Sequence, residues 1–153
     1  MSKPIAVACD PGGFDLKLAM IKHLEDNGFT VKDYGCHSME SCDYPDYAKP
    51  ACEAVQRGES TYALLFCGTG VGMSITANKM RGIRACACSD IFSAEMTRRH
   101  NDANVLCLGG RVLGAGLAAK LVDIFLASPF EGGRHLRRVN KIMALEPGVK
   151  QEN

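Results

Sequence analysis

Short runs of uninterrupted apolar residues dominate what this chain can fold into. Ile5-Ala6-Val7-Ala8-Cys9, Tyr62-Ala63-Leu64-Leu65-Phe66 and Val105-Leu106-Cys107-Leu108 are apolar at every position, not at every second one. That pattern marks strands covered on both faces, which is the situation of parallel strands beneath crossover helices. Residues 30–34 and 83–88 complete a set of five strands, the former more polar and suited to a sheet edge. Helices are expected over residues 14–27, 46–57, 73–79, 90–100, 114–127 and 134–146, with Asn27-Gly28 a stop signal and Ser89-Asp90 a cap. In the first of these, Phe14, Leu18, Ile21 and Leu24 form the apolar stripe, and Lys17, Lys22 and Glu25 fall off it.

Strands alternating with helices predict a single α/β domain over residues 1–153. The architecture expected is a Rossmann-like three-layer sandwich, a five-stranded parallel sheet in order 2-1-3-4-5, with an additional C-terminal helix and a tail frayed from about residue 147. In that order the carboxyl ends of strands 1 and 3 flank the topological switch point, where such sheets bind ligands. Asp10 ends the first strand and Cys67 the third, so two polar groups far apart in sequence meet there.

A net charge of +1 with 23% charged residues argues against nucleic acid as the main partner, and the absence of Trp removes the best stacking platform for single strands. No apolar stretch approaches the length of a membrane span, and no signal peptide is recognisable. Of the eight cysteines, Cys9, Cys67, Cys86 and Cys107 lie in or beside apolar strand runs, where Cys behaves as a small hydrophobe. No C-x-x-C occurs, so neither a zinc ribbon nor a thioredoxin-type motif is supported and no metal site is expected. Reduced thiols and a cytoplasmic location are expected.

The chemistry concentrates in Cys67-Gly68-Thr69-Gly70-Val71-Gly72, between the third strand and a helix start. Glycines on alternate positions permit close backbone approach, and N–H groups at a helix start can face an anionic or carbonyl-bearing ligand. The thiol can serve as nucleophile or general base, or be a core cysteine; position alone leaves these open. A dinucleotide fingerprint would need glycine at position 73, which is Met, and would follow the first strand. Arg134 and Arg138 lie four apart on one helical face and suit a phosphate, although a solvated basic face has the same pattern. Arg111, after Gly109-Gly110 at the end of the fifth strand, shares the sheet edge of Asp10 and Cys67. His100 ends a helix, a common place for a histidine that meets the last carbonyls.

Six blocks occur together and in order: Asp10-x-x-Gly13-Phe14-x-Leu16-Lys17; Asp43-Tyr44-Pro45; the segment from Cys67 through Ser74-Ile75-x-Ala77-Asn78-Lys79; Arg98-x-His100-Asn101-x-Ala103; Gly109-Gly110-Arg111; and Arg134-His135-x-Arg137-Arg138. Through them the chain resembles the ribose-5-phosphate isomerase B type, grouped with the galactose-6-phosphate isomerase subunits. The resemblance implies a cofactor-free aldose–ketose isomerase that interconverts ribose 5-phosphate and ribulose 5-phosphate through an enediolate. It implies Cys67 as the base that moves a proton between C2 and C1. Thr69 and the N–H groups of Gly68, Gly70, Val71 and Gly72 would hold the enediolate oxygen. His100 would help open the sugar ring, Asn101 would contact a hydroxyl, and Asp10 would lie near the ring oxygen or hydroxyls. Arg111, Arg134 and Arg138 would bind the phosphate. A homodimer or tetramer with sites shared between subunits is also implied.

One position departs from the family pattern: Pro11 stands where a histidine usually follows the strand-1 Asp. That histidine helps hold the phosphate or ring end of the substrate, so a reshaped pocket is expected there. Isomerisation of allose 6-phosphate, galactose 6-phosphate or a tetrose phosphate is the rival within enzymes. A phosphosugar-binding module without catalysis is the rival from another class.

Overall fold

A computed structural model describes residues 2–149. The order of elements is β1 (Ile5–Cys9), a 3-10 turn (Pro11–Gly13), α1 (Phe14–Asp26), β2 (Val31–Asp33), α2 (Tyr44–Gln56), β3 (Ala63–Cys67), α3 (Val71–Ala77), β4 (Ala85–Ala87), α4 (Ile91–Asn101), β5 (Val105–Gly109), α5 (Ala115–Ala127) and α6 (Arg134–Met143). Strand alternates with helix throughout, as the apolar runs require. No helix among the described residues is long and apolar enough to cross a membrane.

All strand pairs are parallel, and the sheet order is β2-β1-β3-β5-β4. The expected order 2-1-3-4-5 is therefore corrected at its last two positions. The reason lies in the strands themselves. All five residues of β5 are buried, whereas β4 has three residues, none of them buried. A short, half-exposed strand belongs at an edge, where only one neighbour must pair with it. The correction places β5 beside β3, with Cys67 opposite Gly109.

Helices on the two faces follow from the direction of each step. The steps β1 to β2 and β4 to β5 run one way along the sheet and carry α1 and α4 on one face. The steps β2 to β3 and β3 to β4 run the other way and carry α2 and α3 on the opposite face, as crossovers of a single hand demand. Val7, Cys9, Leu64, Phe66, Leu106 and Leu108 point to the first face, under α1, α4 and α5. The second face is built from smaller side chains, Ala6, Ala8 and Ala63 against Ala48, Ala51 and Cys52 of α2, and it includes Cys67. All eight cysteines are free thiols. Burial pushes Cys9 and Cys52 up to about 12, so these two thiols stay protonated and act as packing groups.

One further expectation is revised. In α1 the buried residues are Leu16, Lys17, Met20 and Leu24, while Leu18 is 46% exposed. The helix is turned so that a lysine enters the core. Its Nζ donates to both carboxylate oxygens of Asp33, at 2.8 and 2.9 Å, and to the Cys36 carbonyl at 2.7 Å, which uses all three ammonium hydrogens. Where the tail begins, Gly82 N–H donates to Glu146 Oε1 at 2.8 Å, and the Arg81 guanidinium donates to the Pro147 carbonyl. Residues 150–153, the rest of the tail expected to fray, lie outside the described residues.

Lys17→Ala strands the Asp33 carboxylate and the Cys36 carbonyl beside a cavity. It should lower the unfolding free energy by about 3 kcal/mol, read as a lower urea midpoint at unchanged slope.

Candidate active site

Three loops meet at the carboxyl ends of β1, β3 and β5. Asp10 N–H donates to the Phe66 carbonyl at 3.2 Å, Gly110 N–H to the Cys67 carbonyl at 2.8 Å, and Arg111 N–H to the Gly68 carbonyl at 3.0 Å. Asp10 caps the 3-10 turn that Pro11 opens, its carboxylate accepting from Gly13 N–H at 3.3 Å. The Arg111 side chain lies over Gly68, with Nη1 3.3 Å from the place a Cβ would occupy. Asp10, Pro11, the segment Cys67 to Gly72 and Arg111 thus form one group. The corrected strand order is what brings Arg111 this close, because no other strand separates β5 from β3.

Cys67 is 4% exposed and sits at the end of a fully buried strand, facing the small-residue side of the sheet. Its Sγ accepts from Gly70 N–H at 3.1 Å, which fixes the sulfur at the mouth of the loop. Gly70 has φ +81°, and a Cβ there would stand 3.1 Å from the Leu108 carbonyl carbon, so both the turn and the packing require glycine. Thr69 Oγ1 accepts from Val71 N–H at 3.2 Å, which leaves the hydroxyl hydrogen available to a ligand oxygen. The Tyr44 ring, at the start of α2, lies against Gly72 and walls the loop from the other side. Its place in the site was foreshadowed only by the block Asp43-Tyr44-Pro45.

The remaining candidates lie elsewhere. Helix α4 runs back against the strands, so His100 and Asn101 stand at the amino edge of the sheet, before the first residue of β5. Glu131 N–H donates to the Arg99 carbonyl at 3.0 Å and brings the start of α6 to the same edge, with exposed Arg134 and Arg138 one turn apart on it. Cys67 pairs with the last residue of β5, so the strand alone separates it from His100 by about 13 Å. The thirteen candidates therefore divide into two groups at opposite ends of one sheet. A cavity of about 800 Å³ borders the second group, with Asn101, Arg84, Cys86 and Met143 on its wall, and none of the Cys67 loop lines it.

Two residues that the motif reading left without a role belong to the second group. His135 is buried and stacks on His100, with ring centroids 4.2 Å apart and planes within 4°. Burial, then the neighbouring His100 and Arg134, hold its imidazole below the usual histidine value, so it favours the neutral form. Glu131 Oε1 lies 3.8 Å from Nε2 of both rings. The donor atoms of His100, Glu131 and His135 lie within 4.8 Å of one another, the spacing of a candidate metal group. The lone pairs of stacked imidazoles lie in two parallel, separated planes, however, and one ion needs them to converge on a single point.

The family model described as Ribose/Galactose Isomerase matches residues 5–142. The chain is 50% identical to ribose-5-phosphate isomerase B of Escherichia coli (strain K12) over 144 residues, covering 94% of this chain and 97% of that one. Its fold matches the structure of ribose-5-phosphate isomerase B from Clostridium thermocellum with a TM-score of 0.92, at 46% identity, covering 93% and 96% of the two chains. It also matches ribose-5-phosphate isomerase B from Mycoplasma genitalium, solved with bound ribulose 5-phosphate, with a TM-score of 0.89 at 39% identity over 94% and 95% of the chains.

Gly70→Ala forces a Cβ into the left-handed region and against the β5 backbone. It should destabilise the chain by about 1–2 kcal/mol or more, measured by chemical denaturation, whereas alanine at the uncrowded Gly116 should have little effect.

Proposed function

Since the chain belongs to the ribose/galactose isomerase family, we propose that it interconverts ribose 5-phosphate and ribulose 5-phosphate through an enediolate, with Cys67 as the base. The observation that carries this reading is the sulfur held at a strand end by the Gly70 N–H, beside a threonine hydroxyl free to donate and next in the chain to Gly68, over which the Arg111 side chain lies. A base and an oxyanion partner are what proton transfer next to a carbonyl requires, and a cation can hold the phosphate end of the substrate. Cys67 takes the proton from C2 of the open-chain aldose and returns it to C1. Thr69 and the N–H groups of Gly68 and Gly72 hold the oxygen on which charge develops, those of Gly70 and Val71 being engaged by Cys67 Sγ and Thr69 Oγ1, and Asp10 meets the sugar hydroxyls.

His100, Asn101, Arg134 and Arg138 complete the site from a second copy of the chain. Their distance from Cys67 within one chain supports this, because a ring-opening imidazole must reach the same sugar as the base. Val71 and Ile75 on α3 and Val112 after β5 are 51%, 59% and 57% exposed, and these apolar side chains beside the Cys67 loop suit contact with another copy. His100 of the second copy opens the furanose, Asn101 binds a hydroxyl, and the two arginines join Arg111 on the phosphate. Free thiols throughout suit a reducing compartment, and the cytosol is the location proposed.

Pro11 favours a second reading. It supplies neither an imidazole nor an N–H at the turn beside Asp10, so the pocket there can admit a sugar phosphate of different length.

Solvent-deuterium exchange into ribose 5-phosphate, followed by proton NMR, tests the reaction. Wild type should give labelled ketose, and Cys67→Ala should give none while keeping its fold; equal turnover by the variant would remove Cys67 as base. No turnover by wild type would direct the assay to four- and six-carbon sugar phosphates, and silence there would leave a binding module. Arg138→Met should raise KM on the order of tenfold with a smaller change in kcat, since a phosphate contact acts alike on ground and transition states.

A further inference from the structure

His135 is a buried aromatic residue with an odd combination of properties. Its ring lies flat against His100, yet its Nε2 has no hydrogen-bond partner among the described residues. Burying a ring nitrogen unpaired is a cost that leucine at this position of α6 would avoid. Bulk alone therefore gives no reason for a flat ring here, whereas the ring it lies against does. The His100 side chain is 39% exposed and ends a helix, so its own element leaves its ring free to turn. The His135 ring covers one face of it at 4.2 Å, and Glu131 faces the Nε2 edge of both rings. His135 is in turn fixed by its helix, whose first turn closes with His135 N–H on the Gly132 carbonyl at 3.0 Å.

We infer that His135 is a positioning residue for ring opening: its buried ring holds the His100 imidazole in the plane from which His100 acts on the cyclic sugar phosphate. His135 touches neither the substrate nor the reacting atoms in this account. It acts by denying His100 its other rotamers. The inference rests on the proposed role of His100, and the test separates the two.

The separation uses substrate chemistry. Ribose 5-phosphate closes to a furanose through O4 and must be opened. Ribulose 5-phosphate has its carbonyl at C2 and its O5 esterified, so it has no furanose form and enters the reaction open. The open-chain aldose formed from the ketose can leave and close in solution, so a defect confined to ring opening limits the aldose to its uncatalysed opening and spares the ketose, whereas a general loss of structure lowers both.

His100→Asn, His135→Ala and His135→Phe are each assayed in both directions. His100→Asn should lose aldose turnover and keep ketose turnover. His135→Ala should lose on the order of tenfold in initial rate on ribose 5-phosphate, at enzyme concentrations where uncatalysed ring opening is the slower step, while staying within about twofold on ribulose 5-phosphate. His135→Phe keeps a flat ring against His100 and should recover most of the aldose activity. Equal losses in both directions for His135→Ala, or no loss in either, would overturn the inference while leaving the role of His100 standing. Equal losses for His100→Asn would instead overturn the ring-opening reading of His100, and the inference with it.

Discussion

The candidate site depends on three backbone turns packed directly against one another. Gly110 lies so close to the Gly12 carbonyl that no side chain fits between them, and the 3-10 turn after β1 lies equally close to the Cys67 loop. The hydrogen bonds from Asp10, Gly110 and Arg111 N–H groups to the ends of β3 join those turns into one surface. Positioning therefore comes from main chain seated on the buried ends of three adjacent strands, the most rigid part of such a sheet. Cys67, Thr69 and Arg111 take their places from that surface. The mixed alternation of loop and strand that supplies chemistry also explains why glycine, and not a larger residue, occupies the turns.

A second consequence follows from the direction of the strands. In a parallel sheet every strand ends at the same edge, and every returning helix ends at the other. Chemistry placed at the end of such a helix, as with His100 and Asn101, is then a sheet's length from chemistry placed at strand ends, and the start of α6 with Arg134 is brought to the same edge by the Glu131 N–H on the Arg99 carbonyl. The relation between the two groups is one that a symmetric pair of chains can satisfy, since each copy has one group of each kind to offer. In that account the stack of His135 on His100 matters because a group that reaches into a neighbouring copy's site has no support from that site's own loops.

The strands, their parallel arrangement and the placing of Asp10 with Cys67 were readable from apolar runs and punctuation, because those features are local. The neighbours of β4 and β5 were not. A run of apolar residues states that a strand is covered, not which strand lies beside it, and the exposure that sends β4 to the edge is visible only in the folded sheet. Lys17 was placed off the apolar stripe of α1 because charge predicts exposure, and its partners, Asp33 and the Cys36 carbonyl, lie well downstream in the chain. His135 stands in the sequence only as a member of the block Arg134-His135-x-Arg137-Arg138, with no role of its own. Its meaning comes from the packing of α6 on α4, which no periodicity in either helix announces. The resemblance implies sites shared between subunits, but which candidates stand together within one chain is visible only in the fold, which divides them into two groups.

The central claim is that a working site takes Cys67 from one chain and His100 from another. Subunit mixing tests it most directly: Cys67→Ala and His100→Asn chains, each inactive on ribose 5-phosphate, are refolded together. A hybrid dimer then holds one intact site and one doubly altered one, so the mixture should regain about a quarter of wild-type turnover. A mixture as inactive as its components, with hybrid dimers shown to be present, would mean that each chain completes its own site.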